Sequence, residues 1–390
     1  MAVFLWRNTC PLPGPNLGIV TTLAGNGTRG FADDPGANAQ FAYPAGVAVA
    51  PNGTVYVTDD DNNRIRAVNP ATGAVTTLAG SGTAGFADGP SNTAQFDNPF
   101  GVTVAPNGTI YVGDSSNHRI RAINPTTGQV TTLAGSGTAG FADGPSNTAQ
   151  FDNPSGVAVA PGGTVYVADR NNHRIRAINP TTGAVTTLAG STIGFADGPG
   201  NTAQFNYPFG VAVAPGGTVY VADRNNHRIR AINPTTGAVT TLAGSGTAGF
   251  ADGPGNTAQF NATAGVAVAP GGTVSPTPTT TGPGHNPTTG AVTTLAEAAP
   301  PGLHGPATPQ STTHGWRPGT VYVADRYNHR IRAINPTTGA VTTLAGSGTA
   351  GFADGPGDTA QFTGPIGLTV APNGTVYLGD YFNHRIRTIT

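Results

Sequence analysis

Lysine is absent from the 390-residue chain, glutamate occurs only at Glu297, and Cys10 is the only cysteine. A single cysteine excludes an intrachain disulfide and a zinc site with several cysteine ligands. The net charge of -1 provides no basic field that would attract nucleic acid or an anionic membrane. No apolar run is long enough to span a bilayer or to form a signal-peptide core after Met1. We therefore expect no nucleic-acid partner and no membrane span, and the localisation stays unknown.

Glycine, in contrast, is abundant, with 58 residues, and it recurs within a repeated unit. Four units open at intervals of 54 or 55 residues, at Pro44, Pro99, Pro154 and Pro208. Two further units begin at Thr263 and Pro365. A period of this length is typical of arrays in which each unit packs only on its neighbours.

Each unit contains four strand signals separated by turn residues. In the third unit they cover 156–160, 164–168, 173–178 and 184–189. The first turn is Asn-Gly in sister units, such as Asn52-Gly53, which is a strong hairpin signal. Four antiparallel strands followed by a long crossover predict a propeller blade. The chain opens with a fourth strand (18–24) and ends after a third (384–389), so their pairing would complete one blade and remove an exposed edge.

We predict an all-β fold, a six-bladed β-propeller of four-stranded antiparallel blades, over 16–390, after an N-terminal tail at 1–15. The repeat is interrupted at about 275–318, either by frameshifted coding DNA or by a genuine Pro/Thr-rich insertion. If this stretch is looped out, the fifth unit has normal length and the ring has six blades. The alternative is seven blades with one or two defective, whose unpaired backbone groups would each cost ~1–3 kcal/mol.

In the fourth unit the repeated motif reads Pro208-Phe-Gly-Val-Ala-Val, Val219-Tyr-Val-Ala-Asp223 and Asn226-His-Arg-Ile229. These segments resemble the motif of the NHL-repeat family. The resemblance implies a propeller. It implies less about function, because similar propellers serve as protein binders, RNA binders, sensor domains and, less often, lyases.

A recurring Asp-x-x-Asn-His-Arg cluster is the most polar feature of the repeat. We interpret it as structural, with the Asp accepting hydrogen bonds from its turn and from the Arg across the hairpin. The pairs are Asp114/Arg119, Asp169/Arg174, Asp223/Arg228, Asp325/Arg330 and Asp380/Arg385. The histidines of this cluster would lie on a wide circle, so we predict no metal site and no cofactor. The run Asp59–Asn63 lacks the glycine of a calcium loop and is interpreted as a solvated turn.

Two phenylalanines recur in each crossover and are predicted to fill the space between neighbouring blades. One group follows a glycine: Phe86, Phe141, Phe195, Phe250 and Phe352. The other ends the Ala-Gln-Phe segment: Phe41, Phe96, Phe151, Phe205, Phe260 and Phe362.

Variation between the repeats is concentrated in loops and carries the functional prediction. Near-identical blades do not offer the different groups that an active site needs, so we predict no catalytic residues. Variable loops on a fixed scaffold suit recognition, although neutral drift at exposed turns is an alternative. We expect a non-catalytic scaffold or sensor-type propeller that binds a protein or peptide at one end of the ring; the alternative is a lyase- or lactonase-like enzyme with a metal in the channel. Candidate binding residues are Phe100, Tyr207, Phe209, Tyr327, Tyr381 and Phe382.

Overall fold

Short β-strands make up nearly all of the regular structure, as the β-branched and aromatic residues of each repeat predict. The computed structural model describes residues 17–270 and 319–390. The predicted tail at 1–15 and the interruption at about 275–318 lie outside these residues. In the described ranges the helices are five 3-10 turns: Asp60–Asn62, Arg170–Asn172, Arg224–Asn226, Arg326–Asn328 and Tyr381–Asn383. No helix in these ranges has the length and hydropathy to cross a bilayer.

The strands form six antiparallel sheets, which are the blades of a propeller. The chain enters the fold with β1 (Ile19–Ala24). The first blade consists of β2 (Pro44–Val49), β3 (Val55–Asp59), β4 (Arg64–Val68) and β5 (Val75–Ala79). The second consists of β6 (Pro99–Val104), β7 (Ile110–Asp114), β8 (Arg119–Ile123) and β9 (Val130–Ala134). The third consists of β10 (Pro154–Val159), β11 (Val165–Asp169), β12 (Arg174–Ile178) and β13 (Val185–Ala189).

The remaining three blades follow the same order. The fourth consists of β14 (Pro208–Val213), β15 (Val219–Asp223), β16 (Arg228–Ile232) and β17 (Val239–Ala243). The fifth combines strands from both sides of the interruption: β18 (Thr263–Val268), β19 (Val321–Asp325), β20 (Arg330–Ile334) and β21 (Val341–Ala345). The sixth contains β1, the short β22 (Gly355–Pro356), β23 (Pro365–Val370), β24 (Val376–Asp380) and β25 (Arg385–Ile389). The prediction of an all-β, six-bladed propeller is confirmed.

The first and last strands of the chain pair within the sixth blade. β1 lies antiparallel to β25, with Val20 opposite Ile389 and Thr21 opposite Thr388. The Thr21 and Thr388 hydroxyl groups are 2.6 Å apart, which places a hydrogen bond between the two strands. Because this sheet contains strands from both ends of the sequence, separating the blades requires breaking its ladder.

The hydrophobic core is divided into clusters between neighbouring blades. In the cluster around Phe151, residues of the second blade such as Ile120 pack against residues of the third such as Val165. The six phenylalanines of the Ala-Gln-Phe segments are all fully buried, so their predicted position between blades is confirmed. Those of the other crossover group are 43–45% exposed, and their predicted role as core residues is wrong.

A glycine in the first strand of each blade lies against the backbone of the next blade. A Cβ atom at Gly210 would lie 2.3 Å from the carbonyl oxygen of Ala264, which is too close for any side chain. A Cβ atom at Gly367 would lie 2.2 Å from the carbonyl oxygen of Ala45, so the same contact joins the sixth blade to the first. These positions set how closely the six blades approach the axis: Gly46, Gly101, Gly156, Gly210, Gly265 and Gly367.

Side chains that precede these glycines alternate between small and large around the ring. In blade order they are Ala45, Phe100, Ser155, Phe209, Ala264 and Ile366. Phe209 and Ile366 are buried, and the ring of Phe100 packs edge-on against Phe209 with centroids 5.0 Å apart. The three large side chains thus share the axial space that the small ones leave. A cavity of about 60 Å³ along the axis is lined only by glycines and apolar residues.

Replacing the axial glycine Gly210 by alanine should destabilise the ring. The new methyl group would collide with the Ala264 carbonyl, a backbone atom that cannot move alone. Overpacking of this kind costs ~1–3 kcal/mol. Chemical denaturation of Gly210→Ala measures the loss. The control is Gly216→Ala in the hairpin turn of the same blade, where a Cβ would meet nothing within 4 Å. Equal stability of the two variants would show that the close approach is not required.

Candidate binding site at the axial mouth

A buried arginine joins each crossover to the blade that follows it. In the third blade the guanidinium of Arg176 is fully buried and donates to Asp169 at 2.6 Å. It also donates to Asp143 of the crossover at 2.6 Å and to the carbonyl of Ala142 at 2.7 Å. Asp169 in turn accepts from the amide of Asp152 at 2.8 Å. The same arrangement holds the second-to-third-strand turn of every blade in place, with Arg66, Arg121, Arg176, Arg230, Arg332 and Arg387 at its centre.

The predicted partner of the turn aspartate was therefore wrong. Asp169 and Arg174 lie opposite each other in the strand register, but the ion pair forms with Arg176, two residues further along the same strand. Burial raises the pKa of Asp169 to about 6, against the lowering effect of Arg176 and its other donors. The correction applies alike to the predicted pairs Asp114/Arg119, Asp169/Arg174, Asp223/Arg228, Asp325/Arg330 and Asp380/Arg385, whose aspartates pair with Arg121, Arg176, Arg230, Arg332 and Arg387.

The motif arginines instead pack on the exposed crossover phenylalanines. Arg174 lies over Phe141 with its Cζ 3.9 Å from the ring centroid, and it donates to the Asn172 carbonyl at 2.7 Å. Its guanidinium covers one face of the ring, which leaves the other face partly exposed. This contact explains why Phe141 and its equivalents lie outside the core.

The motif histidines connect neighbouring blades. The backbone amide of Tyr207 donates to Nδ1 of His173 at 3.2 Å, and that of Tyr43 donates to Nδ1 of His384 at 3.2 Å. The second of these bonds joins the last blade to the first. Asn63 has the corresponding position in the first blade, where its Oδ1 accepts from the amide of Asn98 at 3.1 Å. An Nδ1 that accepts must be unprotonated, so these histidines are structural acceptors.

The aspartate run of the first blade is a turn, but it is less solvated than predicted. Asp59 and Asp60 are both buried, and Asp61 forms an ion pair with Arg29 at 2.6 Å. Asp60 accepts from the Tyr381 hydroxyl at 3.0 Å and from the Asn98 amide at 3.2 Å. Burial raises the pKa of Asp60 to about 6 despite these two donors.

One residue per blade, directly after the turn aspartate, surrounds the end of the axis that we call the axial mouth. In blade order these residues are Asp60, Ser115, Arg170, Arg224, Arg326 and Tyr381. The first strands also begin at this end, since Pro154 pairs with Asp169 in the register. The axial mouth thus brings six equivalent positions with four kinds of polar side chain around a common centre.

The structure brings the predicted aromatic residues together at this mouth, although not all of them are exposed. Tyr381 and Phe382 contact each other with centroids 5.0 Å apart. Tyr207, Tyr327 and Phe382 are 37%, 51% and 45% exposed. Phe209 is buried, Phe100 and Tyr381 are half-buried, and the Tyr381 hydroxyl is held by Asp60. The predicted surface is therefore smaller than expected, because the residues nearest the axis fill the channel.

The predicted set of binding residues omitted the arginines that connect these aromatic residues. Arg224 lies with its Cζ 4.7 Å from the centroid of Phe209 and donates to the Tyr327 hydroxyl at 3.4 Å. The Cζ of Arg326 is 5.5 Å from the centroids of both Tyr327 and Tyr381. The available signal was that three consecutive units carry Arg directly after the same turn aspartate. Only the closed ring shows that these positions adjoin at one mouth.

The described residues do not offer a metal site in the channel. No group of three His, Cys, Asp or Glu residues within 17–270 and 319–390 is placed to hold an ion. The cavity on the axis is lined by residues such as Gly156, Val157 and Leu368, which supply no side-chain ligand. The channel walls therefore do not fit the metal of a lyase- or lactonase-like enzyme.

Substituting the buried arginine should destabilise the fold far more than substituting its neighbour. Arg176→Gln leaves the buried Asp169 unpaired, a change that costs ~3–5 kcal/mol. Arg174→Gln removes the contact with the exposed Phe141, which is worth about 0.5–1 kcal/mol. Urea denaturation of both variants measures the difference, and an equal loss would contradict the assigned ion pair.

The His384 bond predicts a pH effect on stability. Burial, followed by Arg29 and Arg385, lowers the pKa of His384 below 6.5, while Asp61 opposes this. Between the two pKa values the unfolded chain therefore binds more protons than the folded chain. The stabilisation by the His384 bond is complete above about pH 6.5 and is lost as the pH falls through the pKa that His384 has in the folded state. We expect His384→Asn, which copies Asn63, to lose less stability than the wild type between about pH 7.5 and 5.

His384→Ala serves as the control, because it lacks the acceptor at every pH. It should be less stable than His384→Asn by about 0.5–1.5 kcal/mol at neutral pH. Thermal unfolding across the pH range compares the three proteins. If the wild type and His384→Asn lose stability in parallel, the histidine is not the titrating acceptor.

Comparisons with known proteins agree with this geometry. The family model described as NHL repeat matches residues 41–67, 96–123, 151–178 and 205–232. Protein SUPPRESSOR OF QUENCHING 1, chloroplastic, from Arabidopsis thaliana is 34% identical over 269 residues, which cover 65% of this chain and 26% of that protein. NHL repeat-containing protein 2 from Bos taurus is 35% identical over 163 residues, which cover 38% of this chain and 22% of that protein. The chain thus spans about a quarter of the length of these relatives.

A solved structure shares the fold at low sequence identity. An auxiliary nutrient binding protein from Bacteroides thetaiotaomicron superposes with a TM-score of 0.64 at 19% identity. The match covers 95% of this chain and 76% of that protein. The four matched repeats, the relatives and the six blades together show that the chain belongs to the NHL-repeat family of β-propellers.

Proposed function

We propose that this propeller is a non-catalytic binding module that recognises a protein or peptide at the axial mouth. The observation that carries the proposal is the group of exposed aromatic side chains there: Tyr207, Tyr327 and Phe382. Aromatic residues and arginine are enriched in the energetically dominant parts of protein interfaces. Buried ion pairs such as Asp325–Arg332 and Asp380–Arg387 hold the turns that carry Tyr327 and Phe382, which favours preorganised side chains.

The contrast with the other exposed phenylalanines supports this choice of surface. Phe86, Phe141 and their equivalents, which include Phe31, recur in every crossover, and each is covered by an arginine of the blade that follows. The aromatic residues of the axial mouth do not recur in this way. Tyr327 has Asn171 and Asn225 at its position in the two preceding blades, and Phe382 has Ser116 in the second. The surface is thus specific to one arc of the ring, as selective recognition requires.

The enzymatic alternative has less support from the described residues. Its metal would need ligands in the channel, where the walls are glycine, aliphatic residues and two phenylalanines. The cavity of about 60 Å³ is also far smaller than the ~300–1,000 Å³ typical of small-molecule sites.

A display experiment with the full chain tests the proposal. A random-peptide library is selected on the immobilised protein, and the affinity of the enriched peptide is measured by calorimetry. Replacing Tyr327 and Phe382 together by alanine should weaken binding roughly tenfold or more, because aromatic anchors dominate such interfaces. Both side chains are about half exposed, so the fold should tolerate the change.

The control variant carries Phe141→Ala and Phe195→Ala, which remove a similar exposed aromatic surface from two crossovers. It should bind the enriched peptide as the wild type does. Unchanged affinity of the Tyr327/Phe382 variant, or an equal loss in the control, would exclude this surface as the recognition site.

A further inference from the structure

Three arginines from consecutive blades face the axial mouth without an ion-pair partner. We call this set, Arg170, Arg224 and Arg326, the arginine arc. None of the ion pairs found within 17–270 and 319–390 includes a member of the arc. The arginine at the centre of each blade, in contrast, pairs with two aspartates, as Arg176 does with Asp143 and Asp169. Motif arginines such as Arg174 also lack an ion pair, but each packs on the phenylalanine of a separate crossover, whereas the members of the arc share contacts with Phe209 and Tyr327.

Shared contacts show that the three guanidinium groups lie side by side. The Cζ atoms of Arg170 and Arg224 are 6.0 Å and 4.7 Å from the centroid of the same ring, Phe209. Arg224 also reaches the hydroxyl of Tyr327, and the ring of that residue lies 5.5 Å from the Cζ of Arg326. Arg224 is thus the middle member, next to both of the others.

The electrostatic environment of the arc disfavours three bare positive charges. Burial, followed by the charge of Arg224, lowers the pKa of both Arg170 and Arg326. Asp152 and Asp60 act in the opposite direction on Arg170, but neither bonds to it, and Asp60 is already held by Tyr381 and Asn98. Like charges that are partly withdrawn from water repel one another more strongly than they would at an open surface.

Hydrogen-bond donors of the arc are also left unused. The Nε atoms of Arg170 and Arg326 are buried and have no acceptor among the described residues. The one side-chain acceptor bonded to Arg170 there is the Asn153 oxygen, at 3.2 Å. A buried donor without a partner is unfavourable, so two such donors next to a third cation indicate an acceptor that comes from elsewhere.

We propose that the arginine arc binds a small organic anion that carries two or more carboxylate or phosphate groups. Guanidinium groups present paired N–H donors that match the oxygens of these groups, and such bonds are stronger than neutral ones. The ring of Phe209 beneath the arc limits the access of water from below. Because Phe100, Phe209 and Ile366 fill the axis, the ligand lies across the mouth and does not enter the channel.

This inference goes beyond the proposed peptide partner and does not depend on it. Free anions test the arc directly, whereas the peptide experiment tests the aromatic side chains of Tyr327 and Phe382. A negative result in the peptide experiment would therefore leave the anion site untouched, and a negative result in the anion experiment would leave the peptide surface untouched.

The experiment is calorimetric titration of the full chain with citrate, inorganic phosphate and acetate at constant ionic strength. Citrate should bind most tightly and acetate least, because charge and the number of oxygens decrease in that order. Arg224→Gln should weaken citrate binding roughly tenfold or more, since it removes the central fork of the arc. The same variant without ligand should melt at an equal or higher temperature, because repulsion within the arc is relieved.

Arg29→Gln is the matched control. It makes the same change in net charge, but Arg29 is exposed and already paired with Asp61. Its citrate affinity should equal that of the wild type. Citrate binding that is equally strong in the wild type and Arg224→Gln, or that falls equally in both variants, would overturn the proposal, as would no binding of any probe to the wild type.

A hexaglutamate peptide distinguishes the source of the anion. Tighter binding of this peptide than of citrate, lost in Arg224→Gln, would assign the arc to the acidic side chains of a polypeptide. Tighter binding of citrate would assign it to a free small anion. Both outcomes support an anion site at the arc, and they differ only in the molecule that carries the charged groups.

Discussion

The buried guanidinium at the centre of each blade is the interaction on which the propeller depends. Arg176 joins the turn aspartate, the crossover aspartate and crossover carbonyls in one network, in which the guanidinium and the turn aspartate are fully buried. The described crossovers contain no helix and no long strand, so few other contacts hold them in one conformation. The network compensates by satisfying both charges and backbone acceptors where water is excluded. Because every blade repeats it, the turns around the axis are alike, and five of the six form a 3-10 turn.

Because the network fixes the turns, the sequence can vary at the positions that do not take part in it. The residue after each turn aspartate can be Asp, Ser, Arg or Tyr while its carbonyl still accepts from the amide three residues later, as Asp60, Ser115, Arg170 and Tyr381 show. Ring closure then places residues 321 positions apart in one site, such as Asp60 and Tyr381. The residues that recur in every repeat thus form the fold, and the residues that differ between repeats form the candidate binding site.

Sequence reasoning predicted the strands, the six blades and the buried Phe151 group, because these follow from the period, turn residues and hydrophobic pattern. It chose the wrong partner for Asp169, since Arg174 and Arg176 project from the same face of one strand and only packing decides between them. It also placed Phe141 in the core, because cation–π contacts with a neighbouring strand have no sequence signature. The arginine arc was overlooked because adjacency around a closed ring is invisible in a linear comparison of repeats.

Alternation of small and large side chains at the axis has a consequence for how such a protein can evolve. Phe100, Phe209 and Ile366 each sit between two small neighbours, and this pattern can close on itself only when the number of units is even. Duplication or deletion of one unit would set two bulky groups, or two small ones, next to each other. Gene rearrangements that add or remove units in pairs would preserve the pattern, so the packing at the centre selects for change in steps of two.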